Sequence, residues 1–449
     1  MIATVEVIGA TLMLFASHFA LATDPAERNA RLVKDAKQVI TDIDKGRFEK
    51  VEARFDKNMA DALPLDKLTA TSKSILQQTG ALKSIGETTT SEKEGFFVIL
   101  MQCEFANAPF DAQVVYDGDD KIAGLLYKPH AVATVYVAPD YVNRSAFAER
   151  DMTIGSGPLS VPGTLTLPRD KSGIPAVVLV QGSGPQDRDE TIGPNRVFRD
   201  IAWGLGSQGI AALRFEKRTH AHPDAFKGSY TVDDEMTNDA IAAVHALRGI
   251  KEIDSSRIYI VGHSQGAMMA PRIAQRDPAL HGLVLLAAPA RPLEDIIVDQ
   301  QTYLLADASG KLDRSGEMML DTVKAKRDEV KHLDAANTPK DSLLMDVPAS
   351  YWLDLRSYDP VAVASTLKMP ILVLQGLRDF QVTAPDFTRW KDLCAKHPNV
   401  QCESYPTLNH LFIAGSGRSL PAEYQKPGHV DAHVVADIAA WINHGKIAG

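Results

Sequence analysis

The sequence predicts an α/β protein: a mostly parallel sheet flanked by helices and interrupted by a helical cap, preceded by a small α+β domain. Three observations predict it. Short apolar runs alternate with helix-length segments beyond about residue 151, the signature of strands joined by crossover helices. Before residue 129 a helical stretch gives way to strand-like runs, and between 290 and 368 the α/β alternation breaks into charged amphipathic segments.

Residues 8–19 are largely apolar, and Ala20-Leu21-Ala22 fits a small-x-small cleavage site, so residues 1–22 read as an export signal. Residues 1–6 supply no Lys or Arg, which leaves a lipid-proximal anchor or a buried N-terminus as alternatives. A small α+β domain is expected over 24–128. Its helical part runs over 24–60, with Leu32, Ala36, Val39, Ile40, Phe48, Val51 and Phe55 at three-to-four spacing, and a further helix covers 65–78. Strands follow over 95–103, 111–116 and 122–127, the last two joined by Asp117-Gly118-Asp119-Asp120.

Residues 129–150 read as a linker, and the second domain covers 151–449. It opens with a hairpin (152–154 and 159–167) and continues with strands over 176–180, 210–215, 257–261, 283–288, 371–374 and 400–405. Helices are expected over 198–207, 232–247, 387–395 and 430–442. The insertion over 290–368, with a helix at 321–333, is too long for a structureless loop. It is expected to lie over the C-terminal edge of the sheet, where open α/β folds place ligands. Tyr351, Trp352 and Leu355, near its end, are expected either to line a pocket or to pack ordinarily.

Composition narrows the partners. Hydrophobic residues make up 45% and charged residues 23% of the 449, which suits a folded protein with a real core. The formal charge of −9 and the lack of a Lys/Arg run disfavour nucleic acid. No stretch beyond the N-terminus has the roughly 20 apolar residues of a spanning helix. Three cysteines make no disulfide scaffold: Cys103 reads as a small buried hydrophobe, and Cys394 and Cys402 flank a helix-to-strand turn as either a bridge or two thiols. There is no HExxH, clustered cysteine or calcium-loop spacing, so neither metal nor cofactor is expected.

The chemistry lies in Gly262-His263-Ser264-Gln265-Gly266, between the strand at 257–261 and a helix-competent run. Glycines on both sides permit the close backbone approach of a sharp strand-to-helix turn, which presents a serine as nucleophile. A serine hydroxyl needs a base, and the base a carboxylate. Asp379 follows the strand at 371–374 and His410 the strand at 400–405, so nucleophile, acid and base each follow a different strand in the order Ser, Asp, His. This is the arrangement expected of an α/β-hydrolase fold. Among rivals, His220 and His222 precede the serine, Asp354 and Asp359 precede the 371–374 strand, and His263 is expected to pack the turn. In Gln181-Gly182-Ser183-Gly184-Pro185 the Ser183 amide, with that of Gln265, is the expected oxyanion donor pair, and Gly184 a substitute. Asp187-Arg188-Asp189-Glu190 is expected to be an ion-pair network fixing that loop.

These motifs together resemble bacterial secreted α/β-hydrolase esterases with a small N-terminal domain of the nuclear-transport-factor-like type. The marks are residues 181–189, the Ser264 pentapeptide, Gly376-Leu377-Arg378-Asp379 and Asn409-His410. The resemblance implies a carboxylesterase acting on short-acyl esters, periplasmic or secreted, with Ser264, Asp379 and His410 in the same roles. One departure is Phe215-Glu216-Lys217-Arg218-Thr219, where the group has aromatic-Asp-Lys-Arg-Gly; the missing glycine implies a reshaped loop near the pocket. Three other functions fit less well: a serine peptidase or amidase, an acyltransferase, and a binding module with a vestigial hydrolase. The sequence does not bear on oligomeric state.

Overall fold

The structure, a computed structural model, describes residues 25–448 apart from 94, 108, 131–135 and 308. The expected signal at 1–22 lies outside the described residues.

The first unit packs helices α1 (Pro25–Asp44), α2 (Phe48–Glu52), α3 (Lys57–Ala62) and α4 (Leu65–Thr79) on an antiparallel sheet of β1 (Leu82–Lys93), β2 (Phe96–Phe105), β3 (Pro109–Tyr116) and β4 (Ile122–Pro129), in the order β1-β2-β3-β4. Its core joins Leu32, Val39 and Ile40 to Ile99, Met101 and Val114. The helix expected over 24–60 is three helices, because Gly46 takes φ 68° and Asp56 caps α3 from its side chain. The chain between these helices is also drawn into a bridge, Phe55 against Ile122, with Asp56 N–H donating to the Ile122 carbonyl at 2.9 Å. Strand β1 was not anticipated: it is a largely exposed polar edge strand, formed by its ladder to β2 rather than by an apolar face.

The second unit is an eight-stranded sheet. Its strands are β5 (Phe147–Ile154), β6 (Val161–Pro168), β7 (Ile174–Val180), β8 (Ala211–Phe215), β9 (Ile253–His263), β10 (Gly282–Leu286), β11 (Ile371–Gly376) and β12 (Val400–Tyr405). The order is β12-β11-β10-β9-β7-β8-β6-β5; all pairs from β12 to β8 are parallel, and β6 and β5 add antiparallel. The period of two along the strands sorts side chains to two cores. Val178, Val180 and Ile260 face one, with α6 (Asn238–Arg248), α7 (Gln265–Arg276) and α12 (Ala384–Cys394) over it. Val177, Leu179 and Val261 face the other, under α5 (Val197–Ser207) and α13 (Ala432–His444). Burial on both faces is why these strands read as continuous apolar runs.

The helix expected over 232–247 begins with a π turn, Asp233–Thr237, before α6. The insertion between β10 and β11 holds α8 (Leu293–Leu305), α9 (Arg314–Lys331), α10 (Ala349–Leu355) and α11 (Pro360–Thr366). Cys394 at the end of α12 and Cys402 in β12 form a disulfide, with Cα atoms 6.3 Å apart, and Cys103 is a free buried thiol. Among the described residues no helix is long and apolar enough to cross a membrane.

Candidate active site

Ser264 sits between β9 and α7 with φ 52° and ψ −119°, a backbone region disfavoured for a non-glycine residue. The turn is held because Ser264 N–H donates to the Leu286 carbonyl at 2.8 Å, while its own carbonyl accepts from Met268 N–H at 3.0 Å. Its flanking glycines are required. A Cβ on Gly266 would run into the Val180 and Gln181 carbonyls, and one on Gly262 into the backbone of Gly266 and Ala267. The serine is half-buried where its neighbours are buried, so its hydroxyl opens into a cavity of about 330 Å³.

His410 lines the same cavity. Its Nδ1 lies 2.7 Å from Oδ2 of Asp379, and both side chains are almost wholly buried. Asp379 is held in turn: Oδ1 accepts from the amides of Gln381 (2.7 Å) and Val382 (3.0 Å), and Oδ2 accepts from Gln375 Nε2 at 3.2 Å. The His410 loop is shaped by Asn409, whose Oδ1 accepts from the amides of Leu411 and Ile413. Burial pushes the His410 imidazole below its ordinary pKa, with the Asp379 charge and hydrogen bond opposing.

The loop after β7 forms the opposite wall, where Gly182, Ser183, Gly184, Pro185 and Gln186 line the cavity together with Ile192, Gln381 and Tyr424. The Gly182 amide is committed to Glu190 Oε1 at 2.6 Å, and the adjacent Ser183 borders the cavity. Gln265 is the first residue of α7, so its N–H has no acceptor within the helix. Of the expected donors, Ser183 thus borders the cavity that Ser264 lines, and Gln265 follows Ser264 at the start of α7.

Tyr351, Trp352 and Leu355 do not line this cavity, and all three are buried. Tyr351 donates to Glu235 (2.8 Å) and accepts from Gln265 Nε2 (2.5 Å), Trp352 donates to the Leu344 carbonyl, and Leu355 joins the sheet core. The physical reason is that α10 turns its apolar side towards the protein interior, behind the serine turn. His220 pairs with Glu216 and His222 with the Ser160 carbonyl, while Asp354 pairs with Arg272 and Asp359 caps α11 and pairs with Arg389. None of these four lines the cavity. In the acidic loop, Asp187 accepts from Asp189 N–H and Thr191 N–H, Arg188 pairs with Glu216 (2.6 Å), and Asp189 pairs with Arg199 and Arg214.

Two buried pairs had no sequence signal of their own. His263 bridges Glu190 (2.9 Å from Nδ1) and the His410 carbonyl (2.9 Å from Nε2). Burial opposes charge on His263, but the Glu190 charge and hydrogen bond outweigh it and raise the pKa. Lys217, also buried, lies 3.4 Å from Glu235; burial lowers its pKa, and Glu235 opposes the shift. A charged segment directly following a buried apolar strand, as 214–219 follows 210–213, is the hint a sequence could offer for Lys217. Among the described residues no cluster of His, Cys, Asp and Glu could hold a metal ion.

A serine on a strained strand-to-helix turn, beside a buried His–Asp pair at the C-terminal edge of a parallel sheet, defines the α/β-hydrolase class. Residues 195–415 match the family model described as serine aminopeptidase, S33, and residues 36–125 match one described as a protein of unknown function, DUF3887. The chain is 42% identical over 339 residues to Esterase EstD of Thermotoga maritima, an alignment covering 76% of this chain and 78% of that one. The chain belongs to this α/β-hydrolase esterase family. Similar solved structures include Est1E from Butyrivibrio proteoclasticus (16% identity, TM-score 0.41, 58% of this chain and 90% of that one). A Pyrobaculum calidifontis esterase has 16% identity and TM-score 0.42, over 67% of this chain and 86% of that one.

Proposed function

We propose that the protein hydrolyses short-acyl carboxylic esters through an acyl-enzyme on Ser264, with His410 as base, Asp379 as its orienting acid, and the amides of Ser183 and Gln265 as oxyanion donors. The observation that carries the reading is the buried His410–Asp379 hydrogen bond of 2.7 Å opening on the cavity that also holds Ser264 and Ser183. His410, whose neutral form burial favours and which Asp379 orients, takes the Ser264 proton as the hydroxyl attacks the ester carbonyl. The two amides carry the negative charge of the tetrahedral intermediate, and His410 returns the proton to the leaving alcohol. Water, deprotonated by His410, then releases the acid and restores Ser264. A cavity of about 330 Å³ walled by Ile192, Gln381 and Tyr424 suits a small acyl group.

The test is a rate profile on p-nitrophenyl esters from acetyl to decanoyl beside matched anilides, with Ser264→Ala as control. Serine-dependent turnover peaking on short esters supports the reading; turnover on anilides alone would move it to an amidase or peptidase, the alternative named by the S33 model. Loss of turnover in both series would reject hydrolysis.

Export to the periplasm or beyond is part of the same proposal. It is supported by the apolar stretch at 8–19 and by the Cys394–Cys402 disulfide, which an oxidising compartment maintains. Helices packed on a four-stranded antiparallel sheet support a nuclear-transport-factor-like identity for the first unit. N-terminal sequencing of the protein from its native host checks the first point: an N-terminus near residue 23 is expected, and an intact Met1 would reject cleavage.

A further inference from the structure

The peptide group joining Gly182 to Ser183 is gripped on its carbonyl side. The Gly182 carbonyl accepts from Nζ of Lys217 at 2.8 Å, and the Lys217 side chain is 1% exposed. Burying an ammonium is unfavourable unless it is paired and hydrogen-bonded. Here Glu235 stands 3.4 Å away, and its other oxygen accepts from Tyr351, whose hydroxyl accepts from the side chain of Gln265. One chain of buried polar groups therefore runs from the Gly182 carbonyl to the residue that opens α7. The Gly182 carbonyl and the Ser183 N–H belong to one planar trans peptide and point in opposite directions.

From this geometry we infer that Lys217 is a positioning residue of the ester hydrolysis, acting through the Gly182–Ser183 peptide. Its ammonium fixes the plane of that peptide and polarises it, so that Ser183 N–H becomes a stronger, pre-aimed donor to the oxyanion. The inference rests on the proposed role of Ser183 N–H as an oxyanion donor. It also gives a function to a lysine that stability alone does not explain, since an apolar side chain of similar length could fill the same space.

The experiment uses the full-length protein as Lys217→Met, and as the double variant Lys217→Met with Glu235→Gln, which removes the carboxylate left unpaired. Steady-state kinetics on p-nitrophenyl acetate are measured beside inhibition by a trifluoromethyl ketone, whose adduct with the serine places an oxyanion in the donor pair. Expected is a fall in kcat of roughly 10- to 100-fold, below the full loss of one donor, with KM within a few-fold and ketone affinity falling in step with kcat/KM. A folded variant with unchanged kcat, or with reduced kcat but unchanged ketone affinity, would overturn the inference, and so would failure of both variants to fold, since the cation would then serve stability. The Ser264→Ala control separates the two levels. If it keeps wild-type turnover, the esterase reading fails; if it is silent while Lys217→Met is fully active, only the role of Lys217 fails.

Discussion

At Ser264 the chain accepts a left-handed φ of 52° that costs on the order of 1–3 kcal/mol for such a residue. The neighbouring hydrogen bonds and the packing of α7 on β7 and β9 hold it there. What this strain gains is exposure of one hydroxyl at the end of a buried strand. His410, the proposed base, has the converse problem, because burial disfavours the charge that such a base acquires in each cycle, and Asp379 opposes that effect. A lowered pKa means that the neutral, reactive imidazole persists to lower pH. The acid limb of kcat/KM is therefore expected to have its midpoint below 6.5, the ordinary imidazole value. In Asp379→Asn the offsetting charge is gone, so the midpoint falls further while kcat drops by about 10³- to 10⁴-fold. A pH–rate profile of the two proteins checks both; an upward shift in the variant would reject Asp379 as the group that favours the imidazolium. Tyr351, for which the sequence leaves lining and packing equally open, is buried and joins the sheet core: an aromatic residue in an insertion serves as well in either role.

At the scale of elements, α7 approaches β7 so closely at Gly266 that only a glycine fits. A methyl group there meets backbone carbonyls, which cannot move aside as a side chain would. Gly266→Ala is expected to cost more than about 3 kcal/mol or to prevent folding, measured by denaturant unfolding, and a variant within 1 kcal/mol of wild type would contradict the packing. A second element-level device is the disulfide tying α12 to β12 across a sequence separation of 8. A loop this short stabilises by about 2.5 kcal/mol through restriction of the unfolded chain. Cys394→Ser with Cys402→Ser should lose that amount in equilibrium unfolding and keep kcat, because the bridge lies away from the cavity lining. The buried parallel strands were legible from their apolar runs, and β12 was legible to the residue. Strand β1 was not, since a polar edge strand carries no period to read, and neither were the two breaks in the helical stretch at 24–60, one at Gly46 with its positive φ and one before Asp56, whose N–H bonds to the start of β4.

For the whole molecule, the first unit is more than an appendage in sequence. Its helix α4 lies against α9 of the insertion and against the turn Pro421–Gln425, whose Tyr424 lines the cavity beside Ser264. A chain starting at residue 136 is expected to keep Ser264-dependent turnover of p-nitrophenyl acetate, to melt at lower temperature, and to show KM raised by roughly several-fold, as suits a modest inter-domain contact. Unchanged melting and KM would mean that the contact carries no energy. Local pattern alone encodes the α/β class, the centres of the buried strands, and the placing of Ser264, Asp379 and His410 just beyond three of them. Which side chains meet is set by how the folded elements pack. The 2.7 Å pairing of His410 with Asp379, the bridge of His263 from Glu190 to the His410 carbonyl, and the grip of Lys217 on Gly182 join residues 31 to 147 positions apart. Periodicity reports which face of an element is buried. The partner that a buried polar group finds depends on how separate elements pack, because the cost of leaving it unpaired is felt only once water has been excluded.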